Sequence, residues 1–195
     1  RCDGETLMVN KVELELGDLQ GGILSAYGKT GFPKARYILF HIDEGSAGRA
    51  FVERLRPLVT TARRWPSSKA ISTGKDPQAK PDCTLNLAFT FWGLYALDVP
   101  TRTLRGMPDE FIDGMAMRAP ILGDDIAANA QSGWDDVWQP QSPKPHVLVM
   151  LNAQVDSAGN ALPALDQLTA LVLDGLFDRL GWTEEWDRGR LIELA

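Results

Sequence analysis

Apolar and polar residues alternate from Thr84 to Phe91, with Leu85, Leu87, Phe89 and Phe91 on one face and Thr84, Asn86, Ala88 and Thr90 on the other. A period of two marks a strand with one buried face. From Trp92 the period lengthens, and Trp92, Leu94, Tyr95, Leu97 and Val99 fit a short helix or turn docked over the strand's end. A strand that runs straight into a helix predicts a place in the middle of an α/β or α+β core. Residues 84–99 are therefore expected to be the central element.

Two further runs are apolar on both faces. In 37–42 (YILFHI), Ile38, Phe40 and Ile42 point one way and Tyr37 and Leu39 the other; in 146–152 (HVLVMLN), Val147, Val149 and Leu151 oppose Leu148 and Met150. A short final strand is expected over 189–194 (GRLIEL). After Gly45-Ser46, helical spacing of Phe51, Leu55, Leu58, Val59 and Ala62 predicts a helix that Pro57 kinks or restarts and Trp65-Pro66 ends. Beyond an Asp156–Gly159 turn, Pro163 opens a second helix striped by Leu165, Leu168, Val172 and Leu176, with Gly181 as its stop.

The remaining stretches read as connections. Residues 1–17 form a lead-in or edge strand, with Val12, Leu14 and Leu16 alternating. In Asp18-Leu19-Gln20-Gly21-Gly22-Ile23-Leu24 the two glycines predict a tight turn or close backbone approach, and no Lys-Ser or Lys-Thr follows at phosphate-loop spacing. Residues 66–83, with Pro66, Pro77, Pro81, Gly74 and three lysines, are expected to be a flexible loop. A helical insertion over 105–145 follows. In it Pro108 opens a helix from Asp109 to Ala119 with Phe111, Ile112, Met115, Ala116 and Met117 inward, and Trp134 and Trp138 share one helical face.

The order strand, helix, strand, insertion, strand, helix, strand is the βαββαβ pattern of a ferredoxin-like α+β fold with an antiparallel sheet, here filling 1–195 as a single domain. Its helices cover one sheet face. Leaving Leu39, Leu148 and Met150 wet on the other would forfeit about 1.5–3 kcal/mol each. The insertion, a second copy of the chain or a further domain is expected to cover them.

Composition adds exclusions. The 195 residues are 44% hydrophobic and 24% charged, with ample material for a core and no apolar run near the ~18 residues needed to cross a bilayer, so no membrane partner is expected. A net charge of −6 and no basic stripe argue against nucleic acid. Cys2 and Cys83 make neither a disulfide framework nor a zinc spacing. The sequence opens on Arg1, where a cleaved signal would leave no trace; a cytoplasmic setting is the default expectation.

Five segments in order carry a resemblance: DLQGGIL at 18–24, RYILFHI at 36–42, LNLAFTFWGLYAL at 85–97, DEFIDGMAMRAPILGD at 109–124 with WDDVW after it, and HVLVMLN at 146–152. Together they resemble the N-terminal half of dye-decolourising (DyP-type) haem peroxidases. The resemblance implies two ferredoxin-like halves in the intact enzyme, with haem b held mainly by the C-terminal one. It also implies a distal aspartate from a Gly-x-x-Asp-Gly motif, and a histidine ligand and an arginine further on. None of these is in this sequence: Asp174-Gly175 has Leu171 where that motif needs glycine. The implied partner is a C-terminal haem-binding domain, the alternative a second copy of this chain in a haem-free module. Neither tight haem binding nor peroxidase activity is expected of this chain alone.

No catalytic, cofactor-binding or metal residue is assigned. His41 and His146 each flank a strand without a second ligand at useful spacing, and are read as structural. Asp124-Asp125 and Asp135-Asp136 are read as helix caps rather than acid–base pairs. Trp134, Trp138, Trp182 and Trp186 are read as packing residues.

Overall fold

The computed structural model describes residues 14–24, 27, 31–65, 80–124, 131–139, 142–173 and 191–194. Val12, Cys2, Asp125, Asp174-Gly175, Leu176, Gly181, Trp182, Trp186 and most of the 66–83 loop lie outside the described residues. Four strands, β1 (Lys34–Phe40), β2 (Cys83–Phe89), β3 (Val147–Ala153) and β4 (Leu191–Leu194), form one antiparallel sheet in the order β2-β3-β1-β4. That is the ferredoxin-like order. Register runs from Lys34↔Ala153 to Phe40↔Val147 between β1 and β3, and from Cys83↔Ala153 to Phe89↔Val147 between β2 and β3.

Alternation fixes which face is dry. Val147, Val149, Leu151 and Ala153 are fully buried, while Leu148 and Met150 between them are half-buried. Helices α2 (Gly45–Leu55) and α7 (Ala164–Leu173), numbered along the chain after α1 (Gly21–Leu24), put Phe51, Leu55, Leu165 and Val172 against that face. Phe40 and Phe51 meet edge to face at 5.2 Å. The Asp156 turn forms as the sequence predicts: one carboxylate oxygen accepts the amides of Ala158 and Asn160, and Gly159 takes φ 86°.

Several expectations shift. β1 starts before Tyr37 and stops at Phe40, so Ile42 is a core residue outside the strand. α2 ends at Leu55, not Trp65, because Pro57 tightens the chain into a 3-10 turn over Arg56–Leu58; Leu58 is exposed. Cys83, where the 66–83 loop is expected to pass into the strand, is the first residue of β2.

β2 itself is at the edge of the sheet, not its centre. Its outer rim is nonetheless closed. The Gln20 carboxamide accepts from the Leu87 amide and donates to the Leu87 carbonyl, both at 2.8 Å, as a neighbouring strand would. Thr60 does the same for Leu85, donating its amide at 2.8 Å and accepting at its hydroxyl at 3.1 Å. An unpaired edge is thereby blocked. The glycine after Gln20 is needed for closeness rather than for an unusual dihedral: a Cβ on Gly21 would overlap the Tyr27 hydroxyl and lie 2.8 Å from the Thr61 carbonyl oxygen.

Helical structure between β2 and β3 begins at Phe91. It comprises α3 (Phe91–Ala96), α4 (Thr101–Leu104), α5 (Asp109–Met117) and α6 (Ala119–Leu122). α5 does not turn Met115 and Met117 inward: they are 62% and 77% exposed. Gly114 breaks the helix at φ 67°, ψ −177°, a conformation open essentially to glycine alone, and the stripe loses its phase there. Trp134 and Trp138 share no helix, since only short 3-10 turns, Gln131–Gly133 and Asp136–Trp138, form around them.

Candidate functional site

Two places on the sheet gather polar chemistry. The first is the face opposite α2 and α7. There Tyr37, Asn86, Ala88, Met150 and Asn152 floor a cleft of about 430 Å³, walled by Gln20, Gly22, Ile23 and Tyr27. Asn86 is buried, its amide donating to Gln20 Oε1 and the Thr60 carbonyl at 3.2 Å each. Burial pushes the Tyr27 phenol up from its ordinary value, and the neighbouring Asn86 side chain partly offsets this. Tyr27 also packs on Phe32 and Trp65, with ring centroids 5.5 and 6.2 Å away. The sequence placed Asn86 on a strand's polar face; nothing in it shows that the Asn86 amide is met there by Gln20, 66 residues away.

The second place is the mouth of the β1–β3 pair. Phe40 pairs with Val147, so the next residues out, His41 and His146, fall opposite each other. Their rings stack with centroids 4.2 Å apart. His146 Nδ1 accepts the Ile42 amide at 3.0 Å, which puts the proton of the neutral ring on Nε2. His41 Nδ1 lies 2.8 Å from the Lys144 carbonyl and Nε2 lies 3.1 Å from Asp43. Burial, reinforced by His41, lowers the His146 pKa to about 4. Two isolated strand-end histidines in the sequence are thus one stacked pair in the fold.

The same corner anchors α3. Thr90 caps the helix, its hydroxyl accepting from the Gly93 amide at 3.0 Å and donating to the Pro145 carbonyl at 2.9 Å. The Thr90 amide donates to the His146 carbonyl at 3.1 Å. A Cβ on Gly93 would overlap that carbonyl oxygen. Trp92 and Tyr95 stay exposed on α3, with Lys144 Nζ 4.5 Å above the Trp92 ring.

Among the described residues, Asp124 and Asp135 form no acid–base pair. Asp124 follows α6 at its carboxyl end, the wrong end for a capping carboxylate, and Asp135 precedes its 3-10 turn without a side-chain capping bond. Trp134 is half-buried and Trp138 is 45% exposed.

Haem does not fit these residues. Neither histidine lines the cleft, and three of the four ring nitrogens are engaged by Ile42, Lys144 and Asp43. Burial pushes the Cys83 thiol up to about 12, so it offers no thiolate. Among the described residues, no three His, Cys, Asp or Glu side chains converge as a metal site. No described helix is long and apolar enough to cross a membrane.

Residues 18–171 match the family model described as the DyP dimeric alpha+beta barrel domain. No curated protein matches the chain. Among solved structures, a DyP is 24% identical over 88% of this chain and 32% of its own, with a TM-score of 0.56. An ancestral D-type dye-decolorizing peroxidase is 21% identical over 93% and 34%, with a TM-score of 0.61. A decolorizing peroxidase from Auricularia auricula-judae is 18% identical over 93% and 32%, with a TM-score of 0.56. The chain thus spans about a third of the length of these structures, and the likeness is one of fold. The family match extends from the Gln20 edge lock through helices α3 to α6 and into α7, and the chain belongs to the dye-decolourising peroxidase family as its N-terminal DyP-type α+β domain.

Proposed function

We propose that this chain is the scaffolding half of a haem peroxidase that, intact, uses hydrogen peroxide to oxidise organic substrates. Haem b, its histidine ligand and the catalytic aspartate and arginine belong to a C-terminal domain that docks on this one. The chain works as a single ferredoxin-like domain, with the helical insertion over 105–145 as its appendage. The observation that carries this reading is the one-sided sheet. α2 and α7 bury one face; on the other, Leu39, Thr84 and Asn86 are buried within the chain itself, while Tyr37 and Met150 stay half-buried at an open cleft and Leu148 stays half-buried on the same face. Met115, Met117, Ile121 and Leu122 add exposed apolar surface on α5 and α6. Surface of that kind is costly unless a partner covers it.

Haem titration tests the reading. The isolated chain is expected to give no stoichiometric Soret band. A strong band that disappears in His41→Ala or His146→Ala would refute it.

A second reading is favoured by the family's description as a dimeric barrel: the same face pairs with a second copy in a haem-free module. Sedimentation velocity separates the two. A saturable dimer supports self-pairing; a monomer that binds a hydrophobic dye on its open face supports the half-enzyme.

A further inference from the structure

We propose that the stacked His41–His146 pair is an acid-operated latch, which holds the amino end of α3 against the mouth of the β1–β3 pair and releases it on protonation of His146. The release is local; the sheet stays folded.

His146 makes three bonds at once, two to the end of β1 and the residues after it and one to the cap of α3. Its amide donates to the Phe40 carbonyl at 2.8 Å, its ring accepts from Ile42, and its carbonyl accepts from Thr90. The acceptor to Ile42 is a lone pair on Nδ1. A proton at that atom turns it into a donor facing another donor, so the bond is lost and a buried amide is orphaned. Among the described residues, the charged groups facing the ring lie on the two segments beside it: His41 stacks on it, Lys144 precedes it by two residues, and Asp43 is the one anion, already engaged by His41. α3 itself, FWGLYA, has no charged side chain. With His41 charged, protonation of His146 sets two cations face to face 4.2 Å apart.

What is released is equally specific. The His146 carbonyl is the surface on which Gly93 rests without a side chain, and Thr90 is stitched to both Pro145 and His146. Loss of the Ile42 bond loosens the segment from Pro145 to His146, and with it the cap of α3 and the Lys144–Trp92 contact.

The sign follows from the depressed pKa. The closed state takes up the proton only near pH 4, whereas an open state takes it near the ordinary value of 6.5. Acid therefore favours opening across that window, by up to tenfold per pH unit.

Amide exchange read by NMR on the full chain, corrected for intrinsic rates, tests the latch between pH 7 and pH 4. Exchange at Ile42 and Thr90 is expected to accelerate on the order of a hundredfold relative to Val149 and Leu151. His146→Asn keeps a polar atom near Nδ1 but cannot titrate, and should abolish the acid dependence. His41→Phe keeps the stack, removes the opposing charge and leaves Asp43 to face His146, so the onset should move to higher pH. The latch is overturned if Ile42 and Thr90 exchange in step with Val149, if His146→Asn retains the acid response, or if the onset in His41→Phe is unmoved. Should His146→Asn fail to fold, the direction of the His41→Phe shift decides.

Discussion

Replacing Gln20 with methionine should show how the edge of the sheet is held. The substitution keeps length and apolar bulk but removes both bonds to Leu87, each 2.8 Å, and the acceptor of the Asn86 amide. Each unmade buried bond costs about 1–3 kcal/mol. Gln20 is only half-buried, so water recovers part of the loss, leaving a net destabilisation of about 2–3 kcal/mol. Urea unfolding followed by circular dichroism should show a lower midpoint with an unchanged slope. Gln20→Glu sharpens the test. Its carboxylate still accepts from Leu87 but faces the Leu87 carbonyl without a proton, so folding raises its pKa above the ordinary glutamate value. A raised folded pKa means the acid form is the stabilising one. The deficit of Gln20→Glu against the parent chain, measured at each pH, should be full near neutrality and shrink as pH falls toward 4. A Gln20→Met loss below about 0.5 kcal/mol, within the range of ordinary surface changes, would refute the edge-lock argument.

Two further outcomes follow from the same geometry. Gly93→Ala should cost about 3 kcal/mol or more in thermal or urea unfolding, because its Cβ would stand 2.8 Å from the His146 carbonyl carbon and overlap the oxygen, backbone that cannot swing aside. Cys83, buried in β2 with its thiol pushed up to about 12, should resist iodoacetamide at pH 8 and label only in denaturant, as peptide mapping will show.

What the sequence disclosed and what it hid divide by range. β1 and β3 were legible because a short run of consecutive apolar residues is a local signal, and the order of elements then pointed to the ferredoxin-like sheet. The Asp156 turn and the Thr84–Phe89 strand were legible for the same reason. The position of β2 was not, because strand order is decided by pairing between distant segments, and the lock on its rim is made by Gln20, 67 residues earlier. The failure in α5 is also physical: a helical stripe extrapolated through Gly114 assumes continuous helical phase, and the chain breaks there at φ 67°. The histidines illustrate register. Each alone looked structural, and only the Phe40↔Val147 pairing brings them face to face. Trp92 and Tyr95, assigned to a helix docked on the strand end, lie on the solvent side of α3, and no spacing rule distinguishes that side for a helix of six residues.

As the proposed scaffolding half of a haem peroxidase, this domain is expected to add nothing to the reactivity of haem by itself. Hydrogen-peroxide-driven oxidation of a dye, measured with one equivalent of haem and increasing amounts of the chain, tests it most directly. The account predicts a rate equal to that of free haem at every ratio of protein to haem. A rate that climbs with the chain and saturates at one equivalent would contradict it.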